Sequence, residues 1–118
     1  MRIFLACPLL VFIFGCAEPL SWAAVAGSTE FKTIKQSWVS CTFDQAERYH
    51  SADPDPQNIA GAVESVCSTH TENMALLFSQ HGVDEEQFKS LIADLKQDSR
   101  RRVVRYVLEQ RANKLRAN

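Results

Sequence analysis

The chain has 118 residues, with 13 lysines and arginines and 14 aspartates and glutamates, so its formal net charge is −1 at pH 7. A chain of this length has room for one small domain and excludes two domains with separate cores. The near-zero total hides an asymmetry, because acidic residues dominate before residue 100 and basic residues dominate after it.

Residues 1–23 have the pattern of an export signal peptide. Arg2 supplies a positive charge, Ile3 to Phe14 form an apolar run, and small residues precede a cleavage point after Ala23. The apolar run is shorter than the roughly 20 residues that cross a bilayer. We therefore predict that residues 1–23 are removed and that the mature domain lies in the periplasm or is secreted.

Two other processing routes remain open. Ile13-Phe14-Gly15-Cys16 resembles the lipobox of bacterial lipoproteins, which implies lipidation of Cys16 and a membrane-anchored mature chain. Cleavage after Ala26 also fits the small residues at that point. We expect residues 24–30 to form a flexible N-terminus before a single helical domain over residues 31–118.

The first two predicted helices follow the signal region. Apolar or small residues recur at three- and four-residue spacing from Phe31 to Tyr49, which predicts one amphipathic helix. Asp55 is a good N-cap and Pro56 a good first helical residue, so a second helix is predicted from there to a stop at Gly82.

A third helix is predicted after Gly82. Asp84 is placed as its N-cap, Gln87 follows as in a capping box, and Val83 and Phe88 are spaced as a hydrophobic staple. A break or kink is expected around Asp98-Ser99. The predicted fold class is therefore all-α, a three-helix bundle built on a disulfide-linked antiparallel helical hairpin with a long basic C-terminal helix.

Cys41 and Cys67 are predicted to form that disulfide. In an oxidising compartment an isolated cysteine pair is most simply a disulfide. Cys41 lies roughly 14 Å before the end of the first helix and Cys67 roughly 16 Å after the start of the second, at 1.5 Å per residue. In an antiparallel hairpin the two residues therefore lie at nearly the same height.

Two metal sites compete with the disulfide and the core as explanations of these residues. Cys41, Asp44, Cys67 and His70 offer zinc-ligand types, but Asp44 and His70 would lie about 12 Å apart along the hairpin axis. His70, Met74 and His81 share a face of the second helix, as a copper site would require, yet core packing and a helix C-terminus explain them better. We expect no metal and no cofactor.

The C-terminal charges form the main candidate site. Residues 27–99 contain twelve acidic and five basic residues, whereas residues 100–118 contain one acidic and seven basic residues. The basic residues either neutralise the acidic helices of the same molecule or contact an anionic envelope surface or acidic protein. They are Arg100, Arg101, Arg102, Arg105, Arg111, Lys114 and Arg116. Nucleic acid is not an expected partner of an exported protein.

This plan resembles two groups of proteins. A signal peptide, the Trp38-x-x-Cys41 helix, a second cysteine and an Arg-rich terminal helix resemble small exported one-disulfide helical proteins of Gram-negative bacteria that have no assigned activity. Ser37-Trp38-Val39-Ser40-Cys41 is also similar to the acid-activated periplasmic chaperones, which implies a stress-chaperone activity. No catalytic motif is present, so we expect a non-catalytic envelope interaction protein of inhibitor, immunity or accessory type, with the chaperone as the alternative.

Overall fold

The computed structural model describes residues 21–117, and within them every regular element is an α-helix. Cys16 and residues 1–20 of the predicted signal peptide lie outside the described residues. The helices are α1 (Trp22–Ala26), α2 (Thr29–Tyr49), α3 (Pro56–Val66), α4 (Ser68–Gln80) and α5 (Glu85–Ala117). The predicted all-α class is confirmed. None of these helices is long and apolar enough to cross a membrane.

Residues 24–30, predicted as a flexible N-terminus, include the end of α1 and the start of α2. Ser21 accepts a hydrogen bond from the amide of Ala24, and Ser28 accepts one from the amide of Phe31, so each serine caps a helix. The side chain of Val25 is completely buried in the core. Burial of this valine gives α1 a fixed position that the small residues around it do not indicate.

The segment predicted as the second helix forms two helices, α3 and α4. Asp55 caps α3 through the amide of Gln57 at 2.9 Å, as expected, but the helix ends at Val66 and a new one starts at Ser68. Cys67 between them has φ −94° and ψ 10°, outside the helical values. The hydroxyl of Thr71 donates to the carbonyl of Ser68 at 2.9 Å, the kind of local bond by which serine and threonine compete with a continuous helix.

The predicted stop at Gly82 is confirmed. α4 ends at Gln80, and Gly82 has a φ of 71°, which L-residues with side chains rarely adopt. The amide of Val83 donates to the carbonyl of Phe78 at 3.1 Å, closing the turn that ends a helix in this way.

α5 runs without the predicted break at Asp98-Ser99. Ile92 and Val103 are both buried, so the same helical face is held against the core on either side of that dipeptide. Arg102 also pairs with Asp98 at 3.0 Å, one turn apart along the helix. Tertiary packing therefore outweighs the lower helix propensity of these residues.

The core is centred on aromatic side chains that link three helices. The ring of Phe78 on α4 lies 5.4 Å from that of Phe31 on α2 and 5.6 Å from that of Phe88 on α5. Phe78 and Met74 are completely buried. Farther along, the rings of Phe43 on α2 and Tyr106 on α5 lie 5.6 Å apart, so these two helices are in contact there.

Candidate functional site: a basic helix face and an apolar groove

The Cys41–Cys67 disulfide is present, with the two Cα atoms 6.0 Å apart. It joins the middle of α2 to the residue that separates α3 from α4. The two sulfur atoms are therefore bonded to each other, and neither is a free thiol. Among residues 21–117 no group of three or more histidine, cysteine, aspartate or glutamate side chains is close enough to hold a metal ion.

The other candidate metal ligands have structural positions. Met74 is completely buried in the core. His70 is half-buried on α4, and its amide donates to the carbonyl of Cys67 at 3.2 Å. His81 is the C-cap of α4. These three residues contribute to helix ends and packing.

Three of the seven C-terminal cations are engaged within the molecule. Arg100 forms an ion pair with Glu64 of α3. Arg102 pairs with Asp98 of its own helix. Arg111 donates two hydrogen bonds, of 2.6 and 2.7 Å, to the carbonyls of Asp53 and Pro54 in the α2–α3 loop.

Arg111 thus ties the second half of α5 to a loop nearly sixty residues earlier in the chain. A guanidinium group is suited to this position because its planar fork can serve two acceptors at once. The charge run indicates basic residues but gives no sign of which one has this role.

Arg101, Arg105, Lys114 and Arg116 take no part in the ion pairs found within residues 21–117. All four are exposed. Since 3.6 residues make one turn, Arg101, Arg105 and Arg116 fall within an arc of roughly 60° around the α5 axis, whereas Lys114 lies on the other side.

Two exposed leucines lie on the same side of α5 as these arginines. Leu108 is 52% exposed and Leu115 is 77% exposed. They stand seven residues apart, so the two leucines and the three arginines together fall within an arc of roughly 100° around the α5 axis. We call Arg101, Arg105, Leu108, Leu115 and Arg116 the arginine–leucine face.

A groove of about 240 Å³ runs between α2 and α5. Its α2 wall is formed by Lys35, Trp38, Val39, Thr42, Phe43 and Ala46. Its α5 wall is formed by Leu95, Asp98, Ser99, Arg102, Val103 and Tyr106. The lining is mainly apolar, and the charged side chains belong to Lys35, Asp98 and Arg102. We call this site the α2–α5 groove.

The exposure of the groove residues shows which of them are available to a ligand. Phe43 is 56% exposed and Val39 is 46% exposed, whereas Trp38 is only 4% exposed and forms part of the floor. The sequence places Trp38 in the first predicted helix but gives no sign of the groove. The walls come from segments about sixty residues apart, and no local signal connects them.

No protein-family model matches the chain, and neither a curated protein nor a solved structure is significantly similar to it.

Proposed function

We propose that the protein is an exported, non-catalytic binding protein of the cell envelope, and that it contacts an anionic envelope component through the arginine–leucine face. One observation carries this proposal. Three exposed arginines that form no ion pair within residues 21–117 lie beside two exposed leucines on one side of α5. Basic and apolar side chains together on one helix face are typical of helices that lie on anionic membrane surfaces.

The different contacts of the C-terminal cations support this proposal. Arg100 and Arg111 bind groups on the acidic part of the chain, and Arg102 binds a carboxylate of its own helix. These contacts account for the structural use of the basic run. The cations of the arginine–leucine face are left over, with Glu109 as the one acidic residue after residue 99.

The export assignment and the fine architecture belong to the same proposal. A signal peptide over residues 1–23 would deliver the chain to an oxidising compartment, in which the Cys41–Cys67 bond is stable. We also interpret α2 as antiparallel to the α3–α4 pair, giving a three-helix bundle with α5. The contacts of Phe31 with Phe78 and of Cys41 with Cys67 support that arrangement.

Vesicle binding tests the proposed contact. The disulfide-intact protein is mixed with phosphatidylglycerol–phosphatidylcholine vesicles or with pure phosphatidylcholine vesicles, and the bound fraction is measured by sedimentation at several salt concentrations. We expect binding to the anionic vesicles that weakens as salt rises, because screening reduces the attraction. Equal binding to both kinds of vesicle, or none to either, would contradict the proposal.

A pair of charge-matched variants separates the arginine–leucine face from overall charge. The triple variant R101A/R105A/R116A removes three cations worth about 1 kcal/mol each at an anionic surface, so binding should weaken about a hundredfold or more. The control K32A/R48A/K89A removes the same charge from exposed positions elsewhere. It should bind anionic vesicles nearly as the unmodified protein does.

A stress chaperone is the second candidate function. The partly exposed side chains of Val39 and Phe43 beside the α2–α5 groove favour it, because chaperones bind apolar segments of unfolded clients. A chaperone of the acid-activated kind should suppress aggregation of a model client such as unfolded citrate synthase only after acidification. Suppression at neutral pH alone, or at no pH, would rule out this candidate.

A further inference from the structure

The α2–α5 groove has the composition of a binding site for an apolar ligand. Trp38, Phe43 and Tyr106 contribute aromatic surface, and Leu95 and Val103 contribute aliphatic surface. Small-molecule sites are typically apolar clefts with a few polar groups that fix orientation. The groove uses no residue of the arginine–leucine face, so a ligand bound in it would give the protein a second activity, independent of the proposed function.

The shape of the groove favours a single extended chain. The walls reach from Lys35 to Ala46 on α2 and from Leu95 to Tyr106 on α5, which is roughly 17 Å on each side at 1.5 Å per residue. A volume of about 240 Å³ spread over that length leaves a narrow slot. A whole helix, about 10 Å or more in diameter, is too wide to enter it.

The lining also discriminates against an extended peptide. A peptide would bring backbone N–H and C=O groups into the slot, and burying such groups without partners is unfavourable. The uncharged side-chain hydrogen-bonding groups of the lining are the hydroxyl groups of Thr42, Ser99 and Tyr106 and the indole N–H of Trp38, fewer than the N–H and C=O groups that an extended peptide of this length would bring. A hydrocarbon chain has no polar groups to satisfy and gains about fourfold in affinity for every methylene group that it removes from water.

The charges at the rim indicate the head group of the ligand. Lys35 on one wall and Arg102 on the other carry positive charge, and Asp98 carries one negative charge, so the rim has a net charge of one positive. Arg102 and Asp98 form a pair at 3.0 Å in which both side chains are more than half exposed. A guanidinium group has five N–H donors, so Arg102 can bind a second carboxylate without leaving Asp98.

We propose that the α2–α5 groove binds the hydrocarbon chain of a long-chain carboxylate and that Arg102 binds its carboxylate group, while the positive charge of Lys35 on the other wall adds to the attraction of the rim for an anion. Phe43, partly exposed at the edge of the slot, covers the chain together with Tyr106. The ligand is a free single-chain acid and not a two-chain membrane lipid, because the slot has room for one chain.

Calorimetric titration with decanoate, octanoate and decan-1-ol, each below its aggregation concentration, tests the proposal. We expect one saturable site per chain, about fifteenfold tighter for decanoate than for octanoate because decanoate has two more methylene groups. Decan-1-ol should bind about tenfold more weakly than decanoate, because it lacks the charge that Arg102 binds and Lys35 attracts. The absence of a saturable site, or equal binding of the acid and the alcohol, would overturn the proposal.

Variants locate the site in the groove. K35Q/R102Q should weaken decanoate binding about tenfold and leave decan-1-ol binding unchanged. Ser99→Leu fills the slot from the α5 wall and Thr42→Leu fills it from the α2 wall, so each should abolish binding of both ligands. Far-ultraviolet circular dichroism identifies any variant that fails to fold, and binding by either folded leucine variant at the unmodified affinity would refute the location.

The two proposals fail independently. R101A/R105A/R116A should bind decanoate as the unmodified protein does, and Ser99→Leu should bind anionic vesicles as the unmodified protein does. Loss of decanoate binding in the arginine variant would place the ligand on the arginine–leucine face and overturn the groove assignment.

Discussion

Removing the Cys41–Cys67 disulfide should cost a large share of the stability of this domain. The bond closes a loop between residues 26 positions apart. On the chain-entropy model, opening a loop of that size gives the unfolded state about 3.5 kcal/mol of additional conformational freedom at 25 °C. A domain of about 95 residues has a total stability of roughly 5 to 14 kcal/mol, so the loss is a quarter or more of it.

Urea unfolding followed by circular dichroism measures this effect. The double variant C41A/C67A should unfold at lower urea with a free energy about 3.5 kcal/mol smaller, and its m-value should be slightly larger because the unlinked chain exposes more surface when unfolded. The reduced, alkylated protein serves as a second unlinked form. A difference below about 1 kcal/mol would refute the argument that loop closure stabilises the native state.

Two further predictions concern contacts at the helix ends. Arg111→Ala should lower the free energy of unfolding by about 1 to 3 kcal/mol, because two charge-assisted hydrogen bonds to the α2–α3 loop are lost, and Arg111→Lys should restore only part of that free energy. Arg105→Ala is the exposed control, and an equal loss in both alanine variants would contradict the role of Arg111. Gly82→Ala should cost about 1 kcal/mol at a φ of 71°, whereas Gly61→Ala within α3, where an added Cβ meets no atom within 4 Å, should stabilise by about 0.5 to 1 kcal/mol, and thermal unfolding that ranked them the other way would be inconsistent with this account.

The features that local sequence determines were predictable. Asp55 followed by Pro56 specifies a helix start, and Gly82 specifies a helix end, because each acts on backbone groups within a few residues of itself. The disulfide was also predictable, since two helices joined by a short loop bring Cys41 and Cys67 to the same height.

The features that depend on distant contacts were not predictable. The burial of Val25 requires a core that the N-terminal residues do not encode, and the continuity of α5 through Ser99 depends on the packing of Val103. The break at Cys67 falls within an apolar stripe that continues on both sides, so its periodicity indicated one helix. The α2–α5 groove exists only when residues 35–46 lie beside residues 95–106.

The position of Cys67 has a mechanical consequence. Because Cys67 lies between the end of α3 and the start of α4, its bond to Cys41 holds α2, α3 and α4 together through a single covalent link. α5 has no such link and is positioned by side-chain packing, by the ion pair of Arg100 with Glu64 and by the hydrogen bonds of Arg111. The disulfide therefore does not fix the distance between α2 and α5, which depends on packing such as that of Phe43 against Tyr106.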